Sequence, residues 1–177
     1  TIILKEMLRQ NITQTALVPM PDAEAVAACF AAGLGNVVTV DVGGKLDNVF
    51  STPATVTGRV AAIGGGWIES EVIGLGRFDM GRAALLEVGA IRIALSENRG
   101  VGGNHPVVYR HFGVEPAQAK MAVLKTASNF QYYAGMISEI IRVDTLGGTT
   151  SHLEAFDWKH QPRPVYPLDK LEDWRPD

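Results

Sequence analysis

One cysteine, Cys29, is all that the 177 residues carry. That excludes a disulfide framework and a cysteine zinc site built from this chain alone, and it fits a reducing compartment, so the cytoplasm is the expected location. No stretch approaches the roughly 18 apolar residues of a membrane helix, and the first residues show no charged region leading into an apolar one. A soluble protein with no membrane partner is expected. Lysine and arginine number 16 against 19 acids, for a formal charge of -3. They form no block long enough to neutralise several phosphates, which excludes nucleic acid.

The familiar catalytic spacings are missing as well. His105, His111, His152 and His160 are scattered through loops and the last segment, and neither HExxH nor CxxC occurs. No pair has the close spacing on one element that makes two metal ligands converge. His152, near Glu154 and Asp157, is the best remnant of such a set. GxSxG is absent too, so no serine nucleophile can be placed. GGK after a strand lacks the rest of a phosphate loop, and GLGRFDMG sits among strands where glycines usually mark turns and bulges.

What is present is apolar residue, 46% of the chain, enough for one sizeable core. Ile3 with Met7 and Leu4 with Leu8, four apart, predict an opening amphipathic helix with no obvious cap before it. TALVPM reads as a short buried strand closed by Pro19 and Pro21. Asp22 is a plausible N-cap for a helix whose inner face carries Val26, Cys29 and Phe30 and which Gly33 ends. NVVTVDV is a β-branched strand leading into the turn GGKLDN.

From residue 53 to 95 the pattern alternates at period two. Val56 and Val60 face one way and Thr55, Thr57 and Arg59 the other, which predicts half-solvated antiparallel strands. EVGAIRIAL splits at Gly89 into two strands. Pro106 starts a short helix that Gly113 stops. MAVLK reads as a buried strand, Ser128 as an N-cap, and Phe130, Tyr133, Ala134 and Ile137 as the inward stripe of a following helix. EIIRVD reads as a further strand.

The expected fold is therefore α/β or α+β: a mixed sheet with an antiparallel central section flanked by helices. Residues 1–150 are expected to form one domain, with 151–177 an extended tail packed on it. The chain starts at Thr1 without methionine, which suggests a fragment or a processed product. A free amino-terminal threonine is also the nucleophile of some self-processing hydrolases, but a helix running straight from residue 1 argues against that use. At this point the residues name no reaction.

Several stretches, read in order, resemble one family: DAEAVAACFAAGLGNVVTVDVGGKLD, GRAALLEVGAIRIALSENR, FGVEPAQAKMAVLKTASNF, IRVDTLGGTTSHL and RPVYPLD. Together they resemble the carboxy-terminal domain of the MlrC, or microcystinase C, zinc metallopeptidases. The resemblance implies a preceding amino-terminal domain that carries the zinc and hydrolyses peptide, joined through a glycine-rich segment of which Thr1 looks like the last residue. It implies no cofactor held by this chain, and as partners that amino-terminal domain and a peptide substrate. A homo-oligomer is left open. Many family members have a histidine where this sequence has Asn129, so a role for that histidine does not carry over.

On this basis Gly43, Gly44, Lys45, Arg99, Lys125, Ser128 and Asn129 are the candidate substrate-binding or inter-domain residues, and no catalytic or metal residue is assigned. Gly43 and Gly44 let backbone approach closely beside the charge of Lys45. Lys125, at a strand end just before a helix start, is placed to hold an anion, with Tyr132 or Tyr133 as a wall. The plainer alternatives are a solvated turn and a lysine reaching into water. A stand-alone binding or structural module is the competing view of the whole chain.

Overall fold

Six strands form one mixed sheet in the computed structural model, in the order β2-β3-β4-β5-β1-β6. The structure describes residues 1–46, 49–70, 76–99, 104–126, 129–145, 147 and 152–170. In chain order the elements are α1 (Ile2–Arg9), β1 (Ala16–Pro21), α2 (Ala23–Ala32), β2 (Val37–Val42), β3 (Ala54–Glu69), β4 (Arg77–Val88), β5 (Ile91–Ser96), α3 (Pro106–His111) and β6 (Met121–Ala122). Short 3-10 turns cover Pro116–Gln118, Asn129–Tyr133 and Leu153–Ala155. Strands β2 to β5 pair antiparallel in succession, whereas β1 runs parallel to both β5 and β6. This is the mixed α/β sheet with an antiparallel centre that the alternation predicted.

Period-two patterning places a core on each face. Ala16, Val18, Ala84, Leu86, Ile91, Ile93 and Leu95 turn to one side and pack with Leu4 and Met7 of α1, Val26 and Cys29 of α2, and Val56 and Val60 of β3. Leu17, Ala83, Leu85 and Ala94 turn to the other and meet Val108 and Tyr109 of α3 with Ile68 and Met80. A strand covered on both faces needs apolar residues at every position, which is why residues 83–86 and 93–95 do not alternate. β3 alternates buried and exposed from Ala54 to Val60, with Thr55, Thr57 and Arg59 outward.

Local signals act where they were expected to. The Asp22 side chain accepts from Ala25 N at the start of α2, and Gly33, at φ +84, ends that helix. The β4 to β5 hairpin turns at Gly89. Pro106 opens α3 behind His105, whose ring accepts from Val107 N.

Three expected elements differ. The buried strand at 121–124 is only Met121–Ala122, and Met121 is 39% exposed. The cause lies in β1. Ala16 N and Asp22 N both donate toward the β5 side, to Ala90 O and Ser96 O, so even-numbered amides point there and odd-numbered ones toward β6. Beyond Leu17 the odd positions are Pro19 and Pro21, which have no N–H to offer, and pairing with β6 stops. The helix expected after residue 128 is the 3-10 turn Asn129–Tyr133, with Tyr133 alone of the predicted stripe buried; Ala134 and Ile137 are exposed, and Gly135 at φ +83 ends the turn. Among the described residues EIIRVD forms no strand, and Ile140 and Ile141 are exposed. Ser128 lies outside the described residues.

The chain divides into two compact units, Thr1–Ile141 and Arg142–Asp177. In the second, Trp158 Nε1 donates to Leu153 O at 2.6 Å, Phe156 meets the Trp158 ring edge-on, and Arg163 pairs with Asp169.

Candidate functional site

Asp22 follows the last residue of β1 and organises that end of the sheet. Buried to 7% exposure, its carboxylate accepts from Ala25 N at 3.0 Å, from Gly43 N at 2.7 Å and from Lys45 Nζ at 2.8 Å. Its own N–H donates to Ser96 O. One side chain thus caps α2 and holds the turn after β2. Lys45 also reaches Glu24 at 3.3 Å. Burial opposes its ammonium, but hydrogen bonds and charge from Asp22, with Glu24 behind, outweigh that and raise its pKa above the ordinary lysine value.

The two glycines before Lys45 are packed against the chain itself. A Cβ on Gly43 would lie 2.5 Å from both Met20 Sδ and Thr1 Cγ2, and one on Gly44 would lie 2.3 Å from the Thr52 carbonyl carbon. Both have φ near +60°, so the turn demands glycine on two independent grounds. Asp47 and Asn48, the rest of GGKLDN, lie outside the described residues.

Thr1 and the segment leading into β3 complete this end. Thr1 Oγ1 hydrogen-bonds Ser51 Oγ, and Lys5 Nζ donates to Thr52 Oγ1. Lys125 and Lys5 both lie near enough to Thr1 for their charges to act on it. Lys125 arrives from the other side. In the parallel register Ala16 faces Met121 and Leu17 faces Ala122, and Val123 N, two residues before Lys125, still donates to Leu17 O. Asn104 fixes it there: its Oδ1 accepts from Lys125 N at 2.9 Å and its Nδ2 donates to Lys125 O at 3.0 Å. Thr126 Oγ1 then accepts from Asn129 N at 2.8 Å, capping the 3-10 turn.

The structure therefore brings Gly43, Gly44, Lys45 and Lys125 of the predicted set to the carboxyl ends of β1 and β6, with Asn129 four residues beyond Lys125. Arg99 is exposed in the chain after β5, with no contact placing it in this group. Tyr132 stacks on His105, ring centroids 4.8 Å apart. Tyr133 is buried, its hydroxyl unpartnered, and its pKa is raised by burial against the opposing charge of Arg110. Sequence reasoning had not assigned Lys5, Ser51, Thr52 or Asn104 to a site, and it saw Asp22 only as a cap. These partners lie 21 to 50 positions apart in sequence, and no local pattern links them.

Among the described residues no three His, Cys, Asp or Glu side chains form a metal-holding group. The nearest arrangement is His152 in the second unit. It engages Asp144 through Nε2 and Glu154, at 3.4 Å, through Nδ1. With both ring nitrogens facing carboxylates, this set does not fit a metal.

The family model of the MlrC C-terminus matches residues 1–160. Microcystinase C of a Sphingomonas species is 24% identical over 170 residues, which cover 96% of this chain and 32% of that protein. A crystal structure of a candidate metallopeptidase from Mesorhizobium sp. BNC1 superposes with a TM-score of 0.80 at 25% identity, over 98% of this chain and 35% of that one. The chain spans about a third of the length of these relatives. The name of the Mesorhizobium protein implies a metal in that protein. No helix of the described residues is long and apolar enough to cross a membrane.

Proposed function

The chain belongs to the MlrC C-terminus family, and from that premise we propose that it is the carboxy-terminal domain of a zinc-dependent metallopeptidase, helping to form or close a peptide-binding cleft. A preceding amino-terminal domain supplies the zinc and the hydrolytic chemistry. The match over residues 1–160, by a chain spanning a third of its relatives, carries this reading. In it, the GGK turn, Lys125 and Asn129 form the face turned to substrate or to the other domain, with Arg99 and Ser128 as further members. Open α/β sheets gather ligands at the carboxyl ends of their strands, which favours the end holding Lys45 and Lys125. A cytoplasmic location goes with the reading, since Cys29 is a buried free thiol whose pKa burial raises.

Catalytic zinc takes three protein ligands and keeps one position open. The 177-residue chain alone is expected to lose zinc on dialysis and to cleave no peptide, while the protein that includes the amino-terminal domain keeps zinc and cleaves peptide. Metal analysis and a peptide-cleavage assay on the two forms test this. Stoichiometric zinc with peptidase activity in the chain alone would overturn it.

A further inference from the structure

We propose that the ammonium groups of Lys5 and Lys125, with the hydroxyl of Thr52, form a binding site for a peptide carboxylate at the carboxyl ends of β1 and β6. Neither lysine pairs with an acid among the described residues. Lys45, close by, is held by two, and Arg9, Arg59, Arg82, Arg92, Arg110 and Arg163 each have one. Among the described residues, this end of the sheet thus presents two cations without an acidic partner. Lys5 spends one N–H on Thr52 Oγ1 and keeps two. Thr52, accepting from Lys5, has its own proton left to donate. Three donors, two ammonium groups and a hydroxyl, are thus positioned by α1, by the segment before β3 and by the Asn104 clamp on Lys125, with both lysines near enough to Thr1 for their charges to act on it.

The same geometry selects against phosphate. Phosphate sites are built from converging backbone N–H groups, and here Gly43 N–H is already taken by Asp22 while the space beside Gly44 is filled by the Thr52 carbonyl. What remains is two point charges and a hydroxyl, a donor set that suits a carboxylate. This inference rests on the peptidase reading, in which the ligand is a peptide.

The test is an NMR titration of the chain carrying 13C-labelled lysine, with N-acetyl-dialanine as one probe and its carboxamide as the other. The acid is expected to shift the Lys5 and Lys125 signals saturably and to bind about tenfold more tightly than the amide. Changing both Lys5→Met and Lys125→Met removes that preference, both to arginine keeps it, and Lys120→Met leaves it unchanged. Equal binding of acid and amide overturns the proposal, as does a preference that survives the double methionine change in a folded chain. In the family-length protein, lysines 5 and 125 that resist acetylation before any peptide is added would show an acid of the neighbouring domain already seated there, which also overturns it. Peptide cleavage by that family-length protein without acid-over-amide preference sinks the anchor and leaves the peptidase reading standing. The preference without any cleavage by the family-length protein does the reverse.

Discussion

Asp22 concentrates more structure than any other polar side chain at this end of the sheet. It caps α2, accepts from the backbone of the Gly43 turn and balances Lys45. Losing an N-cap costs about 1 kcal/mol, and leaving one partner of a buried pair alone costs roughly 3–5 kcal/mol. Because Lys45 keeps some access to water and to Glu24, Asp22→Ala is expected to cost about 3 kcal/mol in urea unfolding, with Asp22→Asn smaller because it keeps the cap. The pH dependence has a definite sign. Lys45 is raised above its unfolded value of 10.5, so its stabilising contribution is complete below that value and fades as pH rises through the folded pKa. The stability gap between wild type and Lys45→Met should therefore be widest near neutrality and narrow in strongly alkaline buffer. A gap that widens with pH would contradict the ion pair.

At the scale of elements, the run Gly64, Gly65, Gly66 in β3 looks uniform in sequence but is not so in space. A Cβ on Gly65 would stand 2.1 Å from Gly81 O and 2.7 Å from Ala83 N across the β3 to β4 ladder, at φ +120, whereas one on Gly64 would meet only the tip of the His111 ring at 3.8 Å. The register shifts between Gly65 and Trp67, where Gly66 of β3 stands against Met80 and Gly81 of β4, so Gly65 sits at the edge of a bulge. Gly65→Ala should destabilise by about 3 kcal/mol, combining backbone strain with a clash that only strand separation relieves. Gly64→Ala should be neutral or slightly stabilising, because glycine within a strand carries an entropic penalty. Equal thermal midpoints for the two variants would show that the bulge is not as described.

The elements also show what was legible in the chain. β3, the β4 to β5 hairpin, the cap of α2 and the proline start of α3 were visible because each is written in consecutive residues. The run MAVLK looked like a strand because its composition is that of one. Its length was decided instead by Pro19 and Pro21, a hundred positions earlier, whose missing N–H groups stop the pairing. The stripe from Phe130 to Ile137 had helical spacing, but Gly135 at positive φ falls inside it, and the composition of EIIRVD met no partner strand among the described residues. In the site, GGK and Lys125 were legible as local oddities. The pairing of Lys45 with Asp22, the Lys5 to Thr52 bond and the Asn104 clamp were not, because each joins segments that only the folded sheet brings together.

At the scale of the whole molecule, the described residues of the two cores lie in the unit Thr1–Ile141: the first core gathers α1, α2 and one sheet face, the second α3 and the other. The unit Arg142–Asp177, among the described residues, contributes none to either core. It is held within itself by Trp158 on Leu153 O, by Arg163 with Asp169, and by His152 with Asp144 and Glu154. A stretch shorter than about 40 residues without disulfides or metal buries too little apolar surface to fold alone. The His152 interaction adds a pH-sensitive part, since its carboxylate partners raise its pKa above the ordinary 6.5. Whatever order it gives that unit is complete below that value and lost as pH rises through the folded pKa. Two outcomes follow from where the apolar area lies. A chain ending at residue 141 should keep a single cooperative thermal transition within about 4 °C of the full chain, a shift equivalent to roughly 1 kcal/mol for a domain of this size. A peptide of residues 142–177 should show no cooperative transition at any pH. Circular dichroism melts of the two pieces check both, and cooperative melting of the peptide, or loss of the transition in the shortened chain, would show that the stabilising core extends beyond residue 141.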